Sequence, residues 1–146
     1  MYVCSGSTAL LRAVVPVNRY SNHYQSEFHR PVRDLQSGLR TELEDVRGIV
    51  LFGSVARGDA DRQSDVDCFV LVEEQQALGQ QTAYDIVESL QNRRYDGDRY
   101  TFHVLVESVE TTSQYGDRLR EIFAEGLTLF ETETLRNVKQ EVLTDG

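Results

Sequence analysis

The segment GIVLFGSVARGDADRQSDVDCFVLVE, residues 48–73, contains the patterns that decide the fold. An apolar run over residues 49–52 predicts a strand, and Gly53-Ser54 directly after it predicts a tight turn. Asp65-Val66-Asp67 then leads into a second apolar run at 68–72, which predicts another strand. We interpret the rest of the chain as elements that pack around this unit.

The predicted turn has the features of a phosphate-binding loop. Gly53 has no Cβ, so the backbone can turn sharply and approach a ligand closely. Ser54 adds a hydroxyl and a backbone N–H at the predicted start of a helix, where unpaired amides favour an anion. The turn is therefore a candidate site for a phosphate group.

The two aspartates after the turn form a candidate metal site. Side chains alternate along a strand, so Asp65 and Asp67 are expected on one face and Val66 in the core. Adjacent carboxylates raise each other's pKa unless a cation lies between them, and a hard ion such as Mg²⁺ suits oxygen ligands. The alternative is that the pair only caps the start of a strand.

Gly53-Ser54, ten intervening residues and Asp65-Val66-Asp67 together resemble the signature of the DNA polymerase β-like nucleotidyltransferases. Within that superfamily, the wording LFGSVARG…SDVDCFVLV is similar to the minimal nucleotidyltransferases of archaea and bacteria. The resemblance covers residues 35–142. It implies an α/β (α+β) fold with a mixed sheet of about four to five strands flanked by helices.

The resemblance also implies roles for individual residues. It places the phosphates of a nucleoside triphosphate, ATP or another, at Gly53 and Ser54, and Mg²⁺ (or Mn²⁺) at Asp65 and Asp67. Two further positions match the motif: Arg57 as a triphosphate contact and Ser64 as support for the aspartates.

A third carboxylate comes from a neighbouring strand in active members of the family, and this chain departs from that pattern. A strand is predicted over residues 100–107, and the position aligned with the carboxylate is His103. A neutral imidazole accepts a proton near neutral pH, but it is a poorer Mg²⁺ ligand than a carboxylate. His103 is thus a candidate catalytic residue, with a purely structural role as the alternative. Glu107 shares its face but lies about 13 Å along the strand.

Further helices are predicted from apolar residues at helical spacing. These helices cover residues 31–46, 83–92 and 114–124, with Tyr115 on the apolar side of the third, and a last helix after Thr132 carries Leu143. Residues 127–130 predict a short strand. We divide the chain into an N-terminal extension, residues 1–30, and a nucleotidyltransferase domain, residues 31–146.

Composition narrows the function classes. A net charge of −9 argues against a general nucleic-acid surface, and no apolar run reaches the length of a membrane span, which predicts a soluble cytoplasmic protein. Lys139 is the single lysine among 15 basic residues. This preference for arginine over lysine, with the acidic surface, predicts a halophilic, haloarchaeal origin, although GC-rich coding has the same effect.

Cys68 is interpreted as a buried apolar residue, because it stands inside the second predicted strand.

Two functions follow from the resemblance. The first is transfer of a nucleoside monophosphate, AMP from ATP, to a hydroxyl on a protein, nucleic acid or small molecule. The second is a nucleotide-binding antitoxin-type subunit, weakly active or inactive, that binds and inhibits a HEPN-type partner. A homo-oligomer is compatible with either. An antibiotic-modifying enzyme is ranked below both, because little sequence follows the last strand to hold a drug.

Overall fold

The computed structural model of this 146-residue chain describes residues 24–144. The helices and strands of this range are α1 (His29–Glu42), β1 (Val46–Phe52), α2 (Gly53–Arg57), β2 (Val66–Val72), α3 (Gln76–Gln91), β3 (Phe102–Ser108), α4 (Gly116–Glu125), β4 (Leu127–Glu131) and α5 (Glu133–Thr144). Short 3-10 turns precede α1 and α4. The predicted 1–30 extension lies largely outside the described residues.

The strands form one mixed sheet in the order β3-β2-β1-β4. Strands β2 and β3 run parallel, joined through α3, whereas β1 is antiparallel to both β2 and β4. The predicted mixed sheet flanked by helices is confirmed, with four strands in the described range. The central strands β1 and β2 carry the two halves of the segment at 48–73.

Each face of the sheet is covered by a pair of helices. One core cluster joins α1 and α3 to one face, and the other joins α4 and α5 to the opposite face. Strand β2 is buried on both sides, since Cys68 and Val70 face the first cluster while Phe69 and Leu71 face the second. Cys68 is 1% exposed, in agreement with its interpretation as an apolar core residue.

The free edge of β3 is covered by amide side chains of α3. Gln80 donates to the carbonyl of Val104 at 2.9 Å and accepts from the backbone N–H of Val106 at 3.0 Å, as a neighbouring strand would. Gln76 donates to the carbonyl of Val106 at 2.8 Å. Backbone groups at a sheet edge are otherwise available for pairing with another chain. The glutamines therefore hold β3 in place and occupy its outer edge.

The first predicted helix, residues 31–46, extends beyond the observed C-terminal end of α1. Helix α1 ends at Glu42, after which Leu43 is extended and Asp45 has a left-handed φ of 58°. Val46, predicted on the apolar helix face, instead begins β1 and pairs with Val72. Aspartate tolerates the left-handed region better than most residues, so the chain can reverse there and start the strand.

Two residues predicted on apolar helix faces are exposed. Tyr115 precedes α4 as its N-cap residue and is 48% exposed, because the preceding turn at Thr111–Gln114 is a separate 3-10 helix. Leu143 lies near the end of α5 and is 44% exposed.

Thr132 accepts a hydrogen bond from the Leu135 N–H at 3.3 Å, which agrees with its predicted capping role. Within residues 24–144, no helix combines the length and the apolar character needed to cross a bilayer.

Candidate active site

Three neighbouring strands place side chains in one row at the end of the sheet. Phe52 pairs with Asp67 across β1 and β2, and Asp67 pairs with His103 across β2 and β3. All three lie on the sheet face that α4 and α5 cover farther along, the face of Phe69 and Leu105. The row explains why residues far apart in sequence meet at one place.

Two carboxylates and an imidazole converge in this row. The His103 Nδ1 atom lies 3.4 Å from Asp65 Oδ2 and 3.6 Å from Asp67 Oδ1. One ligand atom from each residue can be chosen so that all three lie within 4.8 Å of one another. The exposed fractions of these side chains are 39% for Asp65, 25% for Asp67 and 70% for His103. The cluster is therefore open to solvent on the His103 side and partly enclosed around Asp67.

Gly53 forms the wall of the site next to Asp67. Its φ is 77°, and a Cβ added there would collide with the Asp67 carboxylate. Both the backbone conformation and the lack of space require glycine at this position. Ser54 follows in the first turn of α2, which has only five residues. Because α2 is so short, any phosphate at the turn would be bound by local amides and the hydroxyl more than by a helix dipole.

The electrostatics of Asp67 fit a site for a cation. Burial raises the pKa of its carboxyl, and the neighbouring charge of Asp65 raises it further, while His103, Arg118 and Arg57 act in the opposite direction. The carboxylate of Asp67 is thus partly desolvated, and the positive groups around it do not fully offset this cost. A bound divalent cation would supply the missing positive charge.

The donor set fits a divalent metal ion. Neighbouring ligands of an octahedral ion such as Mg²⁺ stand about 3 Å apart, close to the 3.4 and 3.6 Å that separate the imidazole nitrogen from the two carboxylates. The space that a Cβ at Gly53 would fill is left to the Asp67 side chain. Asp65 and Asp67 are therefore the residues that would hold a metal, and the His103 imidazole lies within reach of the same position.

The other predicted site residues lie close by, but not all have the predicted contacts. The Arg57 guanidinium pairs with Asp59 at 3.5 Å and Glu125 at 3.7 Å while acting on the charge of Asp67. The Ser64 hydroxyl instead bonds to Asp61, accepting from its backbone N–H at 2.9 Å and donating to its carboxylate at 3.2 Å. Ser64 thus orders the turn before β2 without a described contact to the aspartate pair.

Arg118 is a site residue that the sequence analysis did not identify. It belongs to α4, its guanidinium carbon lies 5.8 Å from the centre of the Phe52 ring, and its charge lowers the pKa of Asp67. Arg118 is exposed on α4, and nothing near it in sequence indicated which site it would approach. A second arginine beside Arg57 gives the site two positive groups for an anionic substrate.

A groove of about 520 Å³ lies elsewhere, between α1 and α3. It is lined by helical polar residues that include Asp34, Ser37 and Asp85, and by none of the predicted site residues. The assignment of the site therefore depends on converging chemistry at the end of the sheet and not on cavity size.

Comparisons with known proteins bear on the family and the fold of the chain. The model of a family described as nucleotidyltransferase domain matches residues 32–126. A protein of Methanocaldococcus jannaschii named "Putative protein adenylyltransferase MJ0141" is 35% identical over 66 residues, which are 44% of this chain and 67% of the relative.

Solved structures show the same fold at low sequence identity. A chain of a structure described as a toxin-antitoxin with AMP-PNP is similar with a TM-score of 0.57 and 18% identity, covering 83% of this chain and 86% of that chain. Another similar chain comes from a structure described as the tri-AMPylated Shewanella oneidensis HEPN toxin in complex with MNT antitoxin. Its TM-score is 0.50 at 16% identity, and the match covers 88% of this chain and 85% of that chain.

Proposed function

Since the chain belongs to the nucleotidyltransferase domain family, we propose that it transfers AMP from ATP to a hydroxyl group of a protein, with Mg²⁺ or Mn²⁺ as cofactor. The observation that carries this proposal is the convergence of Asp65, Asp67 and His103 against the Gly53 turn. The name of the M. jannaschii relative and the AMP-PNP in a structure of similar fold support adenylyl transfer. In this proposal, residues 31–146 form the catalytic nucleotidyltransferase domain.

Each element of the site has a defined task in this reaction. The Gly53 turn and the Ser54 hydroxyl bind the triphosphate and orient it for in-line attack. Arg57 and Arg118 offset negative charge on the phosphates. Asp65 and Asp67 hold the divalent cation, which when bound neutralises charge on the phosphate oxygens. Ser64 contributes indirectly, by ordering the turn that leads to Asp65.

The transfer step forms one bond and breaks one. The acceptor hydroxyl oxygen bonds to the α-phosphorus of ATP, the bond from that phosphorus to the bridging oxygen of the β-phosphate breaks, and pyrophosphate leaves. The hydroxyl proton must pass to a base. A neutral His103 imidazole beside the carboxylates has two uses, proton acceptor or metal ligand. Only one use is available at a time through Nδ1.

The proposal is tested by incubation with ATP labelled on its α-phosphate and either Mg²⁺ or Mn²⁺. The assay contains the chain alone or together with a HEPN-type protein. We expect a labelled protein adduct and released pyrophosphate, and we expect both to be lost in Asp65→Asn/Asp67→Asn. Asp85→Asn, on the exposed side of α3, is the matched control and should keep full activity. An adduct that persists in the double variant, or no adduct with either cation, contradicts the proposal.

The second candidate is a nucleotide-binding subunit that inhibits a HEPN-type toxin by holding it. It is favoured by the description of the similar structures as toxin-antitoxin complexes. Co-purification with the HEPN-type protein that survives Asp65→Asn/Asp67→Asn, with inhibition of the toxin retained, would support binding. Loss of inhibition in the double variant while the two proteins still co-purify would support adenylylation.

A further inference from the structure

We infer that His103 is a metal ligand through Nδ1 and that it makes this site select Mn²⁺ over Mg²⁺. The inference rests on the proposed function in so far as that function places a divalent cation at the aspartate pair. It goes beyond that function by assigning the choice of cation to one residue.

The geometry assigns Nδ1 as the coordinating atom. Nδ1 is the His103 atom that lies 3.4 Å from Asp65 Oδ2 and 3.6 Å from Asp67 Oδ1. The pairing of Asp67 with His103 across the parallel strands fixes the backbone that carries the ring. The next residue, Val104, is held from the other side by Gln80 of α3 at 2.9 Å. The imidazole thus projects from a strand that is anchored along both edges.

The chemistry of the donor set determines the preference. Mg²⁺ prefers hard oxygen ligands, releases its water reluctantly and gains little from an imidazole nitrogen. Mn²⁺ shares the preference of Mg²⁺ for carboxylate oxygen, but as a first-row transition-metal ion it gains more from an imidazole nitrogen than Mg²⁺ does. A third carboxylate would also add a negative charge that attracts both cations. With a neutral imidazole there instead, Mg²⁺ loses a ligand that Mn²⁺ retains.

Coordination through Nδ1 decides the protonation of the ring. A neutral imidazole has one protonated nitrogen and one with a free lone pair. When the Nδ1 lone pair is donated to a metal ion, the proton resides on Nε2, so the ring cannot accept another proton. With cation bound, His103 therefore acts as a ligand, and the hydroxyl proton passes instead to solvent water, to which the site is open on the side of the 70% exposed ring.

The test measures metal binding by the full chain without nucleotide. Calorimetric titration with Mn²⁺ and with Mg²⁺ gives the ratio of their affinities, and pulsed electron paramagnetic resonance of bound Mn²⁺ reports a directly coordinated ¹⁴N nucleus. We expect a ¹⁴N coupling in the parent chain that is absent in His103→Ala. We also expect the Mn²⁺ to Mg²⁺ affinity ratio to fall by about tenfold or more in His103→Ala.

A second variant keeps the test independent of a loss of folding. His103→Asp supplies a carboxylate, so we expect tighter Mg²⁺ binding than in the parent chain and a lower affinity ratio. His29→Gln is the control histidine, since the His29 ring bonds the Tyr24 carbonyl at 2.9 Å, away from the cluster. It should leave the ratio and the ¹⁴N coupling unchanged. Thermal unfolding of each variant confirms that it is folded.

The outcomes separate this inference from the proposed function. A missing ¹⁴N coupling in the parent chain, or an affinity ratio unchanged in both His103 variants, overturns the inference even where AMP transfer is observed. Mn²⁺ selectivity that depends on His103, in a chain that transfers no AMP with either cation, supports the inference and contradicts the proposed function.

Discussion

Asp67 and His103 are paired residues on adjacent parallel strands, with Asp67 Oδ1 3.6 Å from His103 Nδ1. The distance follows from the pairing of β2 with β3 and not from a flexible loop. Strand β2 is hydrogen-bonded to β1 on one side and to β3 on the other, so two ladders set its register. The separation between the acidic and the imidazole ligand is consequently fixed by the same contacts that stabilise the fold.

Replacement of Gly53 should disrupt the site as well as the fold. In Gly53→Ala, the left-handed φ of 77° costs about 1–2 kcal/mol, and the added methyl collides with the Asp67 carboxylate and displaces it. We expect loss of Mn²⁺ binding and of AMP transfer together with reduced stability. Urea unfolding and calorimetric titration measure the two effects separately.

Gly58→Ala is the matched control for this experiment. Gly58 has a φ of 81°, and a Cβ there would meet no atom within 4 Å. Gly58→Ala should therefore lose a similar 1–2 kcal/mol of stability, roughly, and still bind Mn²⁺. If the two variants lose metal binding to the same extent, the collision with Asp67 is not the cause.

The raised pKa of Asp67 predicts a pH-dependent loss of stability without metal. Because burial raises this pKa above the ordinary 3.8, the folded chain binds the proton more tightly than the unfolded chain does. The contribution of Asp67 to stability therefore falls as pH rises from 3.8 through the raised pKa, and remains unfavourable above it. Asp67→Asn cannot ionise, so it should gain stability relative to the parent chain over that range.

The measurement compares urea midpoints of the two proteins in chelator from about pH 4 to about pH 7. The advantage of Asp67→Asn should grow with pH and then level off. Added Mn²⁺ should stabilise the parent chain and not the variant. An advantage that is constant with pH would show that the charge of Asp67 is not its source.

The glutamine cover of the β3 edge should make a measurable contribution to stability. Gln80→Ala removes the partners of the Val104 carbonyl and the Val106 N–H, and we expect a loss of about 1–3 kcal/mol. The adjacent Gln81 contacts only the exposed Asp85 among its described hydrogen bonds, at 3.4 Å. Gln81→Ala is thus a control expected to change stability by less than about 0.5 kcal/mol. Equal urea midpoints for the two variants would contradict the proposed role of the cover.

Arg118 should contribute to nucleotide binding. Arg118→Gln removes a positive charge that acts on Asp67, and we expect KM for ATP to rise about tenfold, equivalent to about 1.4 kcal/mol. Arg120→Gln removes the same charge from the same helix, where the guanidinium pairs with Asp117 at 3.2 Å. It should leave KM nearly unchanged. A similar rise in both variants would indicate a general charge effect of α4.

Most of the fold was predictable because its signals are local. The apolar runs around Gly53 and Asp67 identified the central strands, and the position of Cys68 inside the second run correctly assigned it to the core. The error at Val46 has a long-range cause, since helical spacing continues to that residue but pairing with Val72 makes it a strand. Tyr115 and Leu143 fit helical spacing as well, and their exposure depends on where the helices begin and end.

The site was predictable only in part, because only some of its contacts join residues that are close in sequence. Gly53 and Asp67 come from one continuous segment, and the strand that carries His103 was recognised by its own alternation. Arg118 reaches Phe52 from a helix far along the chain, a contact that no local pattern encodes. The halophilic origin stays a prediction.

The exposure of His103 separates the choice of cation from the stability of the fold. Asp67 lies in an interior strand and is 25% exposed, whereas the ring at position 103 is 70% exposed on an edge strand. An exchange there requires no rearrangement of buried side chains. A lineage carrying this scaffold could thus adapt to a different supply of ions in its surroundings by one substitution, with its folding left intact.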